Sequence, residues 1–139
     1  MKPLKELYNL PYDSSGFNSG LINWYNKVID KTYEDLTLAD VCKMIRQNIV
    51  KNVAIKKAIE LFLCNPYDGE HIDGDLLATL TSLDTKLFDV HYNRELKYVL
   101  EDVKQGYNDF DWSDEKTKIQ YAKNIEKMLK NIESGAKFY

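Results

Sequence analysis

Long apolar runs, cysteine and histidine are all scarce in this sequence. Nothing approaches the run of about 18 apolar residues that a transmembrane helix needs, and residues 1–15 lack the apolar run of about 7 to 15 residues typical of a secretory signal. We therefore expect a cytoplasmic protein with no membrane partner. Cys42 and Cys64 lie within amphipathic runs, and in a reducing compartment both are expected to be small buried apolar side chains.

Metal-binding and catalytic patterns are also missing. His71 and His91 have no partner at helical spacing, and neither cysteine belongs to a CxxC pair. Asp109, Asp111 and Ser113 alternate as in an EF-hand loop, but the positions that require Gly and Glu are occupied by Asp and Gln. The sequence has no glycine-rich phosphate loop and no nucleophile elbow. We expect no metal, no cofactor and no enzymatic activity.

Charge is unevenly distributed along the 139 residues, although the net charge is only −3. Residues 68–115 contain 13 acidic and 4 basic residues, a net charge of −9, whereas residues 1–67 carry +2 and residues 116–139 carry +4. An acidic centre attracts a basic partner and repels nucleic acid. The lysines of the last segment are interpreted as a solvated surface that complements the helix dipole, with a nucleic-acid patch as the less favoured alternative.

Apolar residues recur at helical spacing through most of the chain, which predicts an all-α fold. We expect one domain over residues 1–139, a compact bundle of about six to seven helices. The predicted helices cover approximately residues 3–10, 18–29, 38–49, 53–64, 75–83, 94–105 and 113–135.

Several residues are predicted to begin or end these helices. Thr37 is expected to cap one helix, with Asp40 near its positive end. Asn65-Pro66 should end another, because proline has no N–H and restricts the residue before it. Asp75 and Asn93 are predicted as helix N-caps.

Apolar positions along the same runs are predicted to face the core. Leu7 should face inward from the first helix, and the second helix should bury Phe17 and Leu21. The buried stripe of the last helix should consist of Ile119, Ala122, Ile125, Met128, Leu129 and Ile132.

One set of residues in the middle of the chain occurs in a recognisable order. It comprises Leu36, Thr37, Asp40, Val41, Ile45, Gln47, Asn65, Pro66, Gly74, Asp75, Leu76 and Leu77. This order resembles the immunity proteins of bacterial contact-dependent growth inhibition (CDI) systems. The resemblance implies a protein that binds and neutralises the cognate C-terminal toxin domain delivered by a neighbouring cell. Toxins of such systems are frequently nucleases, whose active-site clefts are basic. The alternative is a helical adaptor or regulatory subunit that binds an endogenous protein.

Two acidic loops, residues 67–74 and 107–112, are the candidate toxin-binding surface. In the loop at 107–112 acidic residues alternate with large aromatic rings, and protein interfaces concentrate binding energy in aromatic anchors surrounded by polar groups. The other interpretation is that Phe110 and Trp112 only cover the end of the last helix. The candidate residues are Asp68, Glu70, Asp73, Tyr107, Asp109, Phe110, Asp111, Trp112, Asp114 and Glu115.

Overall fold

The computed structural model describes residues 1–16, 19–88 and 90–136. Over these residues the chain is helical and has no β-strand, which confirms the predicted all-α class. The helices are α1 (Leu4–Leu7), α2 (Gly20–Val28), α3 (Leu38–Gln47), α4 (Lys51–Cys64), α5 (Asp75–Thr81), α6 (Val90–Gly106) and α7 (Glu115–Ala136). Short 3₁₀ turns lie at Tyr33–Asp35, Thr85–Leu87 and Tyr107–Asp109. No helix within the described ranges combines the length and the apolar character needed to cross a membrane.

The α3–α4 hairpin begins and ends as predicted. The Thr37 hydroxyl accepts a hydrogen bond from the N–H of Asp40, and the Asp40 carboxylate accepts one from the N–H of Thr37, each 3.1 Å long. This reciprocal pair is a capping box, which satisfies backbone donors at the start of α3. At the other end, α4 stops at Cys64, directly before Asn65 and Pro66.

The core forms where α4 packs against α3, α5 and α6, and α7 closes it by packing against α5 and α6. Its largest fully buried side chains include Leu4, Phe62, Leu76, Leu80, Leu100 and Tyr121. The four helices α4, α5, α6 and α7 therefore share one apolar core.

The first two helices are shorter than expected. α1 is a single turn, so it buries only Leu4, and the prediction that Leu7 faces inward is wrong because Leu7 is 52% exposed. α2 begins after Ser19, whose hydroxyl accepts from the N–H of Ile22. Leu21 is also exposed, contrary to prediction. The prediction for Phe17 lies outside the described residues.

α6 is longer than expected because tertiary contacts extend it towards the N-terminus. It begins at Val90, so Asn93 lies inside the helix and the predicted cap there is wrong. The hydroxyl of Tyr92 donates to the Glu60 carboxylate of α4 at 3.0 Å, and Leu96 is fully buried. These long-range contacts hold the first turns of α6 helical and override the local preference of asparagine for caps.

The buried stripe of α7 is as predicted over its later turns and differs at its start. Ile125, Met128, Leu129 and Ile132 are buried as predicted, but Ile119 is 48% exposed and Tyr121, at 2% exposure, takes its place. Cys64, expected to be buried, is exposed because it is the last residue of α4, whereas Cys42 is buried as predicted.

Candidate functional site

The loop from Asn65 to Gly74 joins α4 to α5 and is held together by the carboxylate of Asp75. Oδ1 accepts from the N–H of Glu70 at 2.7 Å, and Oδ2 accepts from the N–H groups of His71 at 3.0 Å and Ile72 at 3.1 Å. Hydrogen bonds to an ionised acceptor are stronger than neutral ones. Asp75 is therefore the first residue of α5 and the anchor of the preceding loop, and the prediction that it is the N-cap is wrong.

Gly74 occupies the N-cap position instead, with φ +80°, a left-handed conformation that favours glycine. Its N–H donates to the carbonyl oxygen of Tyr67 at 2.7 Å, which closes the loop. A Cβ atom at this position would lie 2.6 Å from the ring of Tyr121 and 3.2 Å from the ring of Trp112. The loop therefore lies directly against aromatic side chains from the C-terminal part of the chain.

Four rings form a cluster between this loop and the segment that precedes α7. Tyr67 is stacked on Phe110 with 4.3 Å between the ring centroids, and Phe110 meets the edge of Trp112 at 4.6 Å. The Trp112 indole N–H donates to the carbonyl oxygen of Tyr107 at 2.7 Å. The two loops predicted from sequence as separate candidates are therefore neighbours.

Tyr121 lies at the base of the cluster. Its hydroxyl donates to the carbonyl oxygen of Pro66 at 2.7 Å, and its ring centroid is 4.9 Å from that of Trp112. Burial raises the pKa of Tyr121 well above its ordinary value, so the phenol stays protonated and remains a donor. The pKa of Tyr67 is raised as well, first by burial and then by the charges of Asp102 and Asp109.

The greater part of the chain matches a known protein family. Residues 6–98, more than half of the chain, match the model of the CDI immunity proteins. The chain belongs to this family. No curated protein matches the chain. The matched region includes the Asn65–Gly74 loop but ends within α6, before Phe110 and Trp112 of the immunity protein.

Most of the predicted binding acids of the immunity protein are exposed. Asp73, Asp109 and Asp111 are exposed around the ring cluster, and Asp68 is half-buried. Asp114 and Glu115 are exposed at the start of α7.

Asp114 also has a structural role, because its Oδ1 accepts from the N–H of Thr117 at 2.6 Å. This hydrogen bond lowers the pKa of the Asp114 carboxyl group. Tyr107, Phe110 and Trp112 are each half-buried, so part of each side chain remains accessible to solvent.

Glu70 differs from the other predicted acids because only 9% of its side chain is exposed. Its carboxylate pairs with Arg46 of α3 at 3.1 Å and also with His71. Burial, followed by the negative charge of Glu70, raises the pKa of the neighbouring Cys42 thiol to about 11. Glu70 therefore joins the loop to α3. It would support a binding surface mainly by holding the loop in place and not by contacting the partner.

Two residues of the site were missed in the sequence analysis. Tyr67 supplies the ring that joins the loops, and Tyr121 supports the cluster from α7. The spacing of Tyr121 with Ile125, Met128 and Ile132 is the signal that identifies it, because these residues share one helical face. No local signal identifies Tyr67, whose stacking partner is distant in sequence.

Proposed function

We propose that this immunity protein neutralises the toxin domain of its own CDI system by binding it through a single acidic–aromatic face. This face is formed by Asp68, Asp73, Tyr107, Asp109, Phe110, Asp111, Trp112, Asp114 and Glu115, with Glu70 behind it. The single observation that carries the proposal is the Tyr67–Phe110 stack, which makes one surface out of two separate acidic loops. Membership of the CDI immunity family supports the type of partner.

Electrostatics favours a basic partner. The residues that form the face include six acids and no lysine or arginine, and a surface of one sign accelerates association with a partner of the opposite sign. A nuclease has a basic cleft because it binds phosphates. The proposed partner is therefore a toxin domain with such a cleft, met in the cytoplasm. Inhibition needs no chemistry by the immunity protein, since covering the cleft excludes the nucleic acid.

The rigidity of the face supports tight binding. Three backbone N–H groups of one loop converge on Asp75, and the Trp112 indole is hydrogen-bonded within the other loop. A surface that is ordered before association loses less conformational entropy when it binds. The half-buried rings of Phe110 and Trp112 supply apolar area beside the exposed acids.

Co-expression with the toxic C-terminal domain encoded immediately upstream of this gene tests the proposal. We expect cells to grow only when the immunity protein is present, and the two proteins to copurify. The variant D109N/D111N should reduce both protection and affinity, and the association rate of the wild type should fall as salt increases. The matched control is E6Q/E34Q, which removes two exposed acids outside residues 68–115. Growth arrest despite co-expression, or equal effects of the two variants, would overturn the proposal.

A further inference from the structure

A groove of about 630 Å³ runs along the outer surface of α7, next to the turn at Tyr107–Asp109. Its apolar floor includes Ile119 and Ala122, which are one turn apart on the same side of the helix. Tyr107 and Asn108 lie at one end of the groove. The exposed Ile119, which sequence periodicity places in the core, is thus part of a concave surface.

The edges of the groove are rich in lysine. The four lysines along it are Lys118, Lys123, Lys127 and Lys130. Within the described part of the chain, none of these four forms an ion pair with a carboxylate. Glu126 is paired with Lys104 at 3.0 Å, which offsets its charge, and Glu115 is the other acid of the lining. The groove is therefore cationic, although it adjoins the acidic–aromatic face.

We propose that this groove binds an acidic amphipathic segment of the same toxin protein, an inference that rests on the function proposed above. The position of the groove supports this proposal, because Tyr107 belongs to both the acidic–aromatic face and the lining of the groove. A toxin domain bound to the face would therefore lie next to the groove and could contact both. Carboxylates of the segment would meet the unpaired lysines, and an apolar side chain between them would cover Ile119.

A protein segment fits this groove better than a nucleic acid does. A phosphate backbone carries a negative charge at every nucleotide and would also place one against Glu115, whereas a protein segment can place its acidic side chains opposite the lysines alone. The floor is aliphatic, whereas single-stranded nucleic acids are bound mainly on aromatic platforms. A protein segment in which acidic and apolar side chains alternate would place carboxylates against the lysines at the edges and apolar groups against the floor.

The test measures the affinity of charge-reversal variants of the immunity protein for the purified toxin domain. We expect K123E/K127E to weaken the affinity at least tenfold. The control K27E/K97E changes the net charge equally at two exposed lysines outside the groove, and it should change the affinity by less than twofold. A carbodiimide, which couples amines to carboxylates in contact, should cross-link lysines of the groove to the toxin domain.

The outcomes separate this inference from the proposed function. If the wild type binds the toxin domain and D109N/D111N weakens binding, but K123E/K127E has no effect or strengthens it, the groove proposal is wrong and the function stands. If the wild type does not bind the toxin domain, both fail. Binding of a single-stranded RNA oligonucleotide that K123E/K127E abolishes, without cross-links to the toxin domain, would assign the groove to nucleic acid instead.

Discussion

The ring of Tyr67 lies nearly parallel to that of Phe110, with 4.3 Å between the centroids and 12° between the planes. Tyr67 follows α4 and Phe110 follows α6, so this contact joins two connections that are far apart in sequence. Stacked aromatic pairs contribute stability beyond the area that they bury. The relative position of the two acidic loops therefore depends on this pair of side chains.

Replacing Phe110 with alanine should destabilise the protein by about 2 kcal/mol, less than for a fully buried ring, because it removes the stack and the contact with Trp112. Urea denaturation followed by circular dichroism measures this change. Phe110→Tyr keeps the ring and serves as the control, with an expected loss below about 0.5 kcal/mol. Equal stability of the alanine variant and the wild type would contradict a structural role for the stack.

The variant Asp75→Asn should loosen the Asn65–Gly74 loop. An amide has one acceptor oxygen and a donor group that would face backbone N–H groups, so about 2 kcal/mol of stability should be lost. Hydrogen–deuterium exchange should accelerate most at the amides of Glu70, His71 and Ile72. The matched control Asp73→Asn changes a neighbouring exposed acid, and exchange that is unaltered by Asp75→Asn would refute the anchor.

Gly74→Ala and Gly16→Ala form a matched pair, because both glycines have positive φ, +80° and +83°. A Cβ atom at Gly16 would meet nothing within 4 Å, whereas one at Gly74 would lie 2.6 Å from the ring of Tyr121. Gly16→Ala should therefore cost about 1 kcal/mol from backbone strain alone, and Gly74→Ala about 3 kcal/mol. Similar losses in thermal and urea unfolding would mean that the ring cluster readily moves aside.

The Asp40 carboxylate should make stability depend on pH in the acidic range. Burial acts to raise its pKa, but hydrogen bonds from Lys31 at 2.6 Å, from Thr37 and from Trp24 lower it below 3.8 overall. Since the folded pKa is the lower one, this contribution is present above the unfolded pKa and is lost as pH falls through the folded pKa.

The comparison with Asp40→Asn isolates this effect. At neutral pH the variant should be less stable by about 2 kcal/mol, because the charged hydrogen bonds are weakened. The difference should stay constant above about pH 5 and shrink as pH falls below about 4. Urea unfolding of both proteins from pH 2.5 to 7 measures it, and a difference that does not vary with pH would exclude the carboxylate as the source.

Sequence reasoning predicted the features that depend on neighbouring residues. The capping box of Thr37 and Asp40 and the end of α4 before Asn65-Pro66 are encoded within a few residues, so their chemistry can be read directly. The helical class follows in the same way from apolar spacing. The candidate acids and rings of both loops also came from local composition.

Most of what the sequence did not predict depends on contacts between distant residues. Asp75 is an exception, because its partners are nearby N–H groups of residues 70–72, and they reach its carboxylate only through the fold of a loop that local spacing does not predict. Asn93 lies inside α6 because Tyr92 bonds to Glu60 on another helix. The first turns of α7 bury Tyr121 instead of Ile119 because of the helices that pack against them, and Tyr67 joins the two loops through a ring that is distant in sequence.

Among the described residues, the hydrogen bonds to the Asp75 carboxylate come from main-chain N–H groups of residues 70–72, and every amino acid except proline provides such a group. The shape of this stretch is therefore largely independent of the side chains that it displays. His71, Ile72 and Asp73 are all exposed and can be exchanged for other residues while the main chain keeps its path. Under the proposed function, exchanges at these three positions would change the toxin specificity of the immunity protein while the main chain of the loop keeps its path.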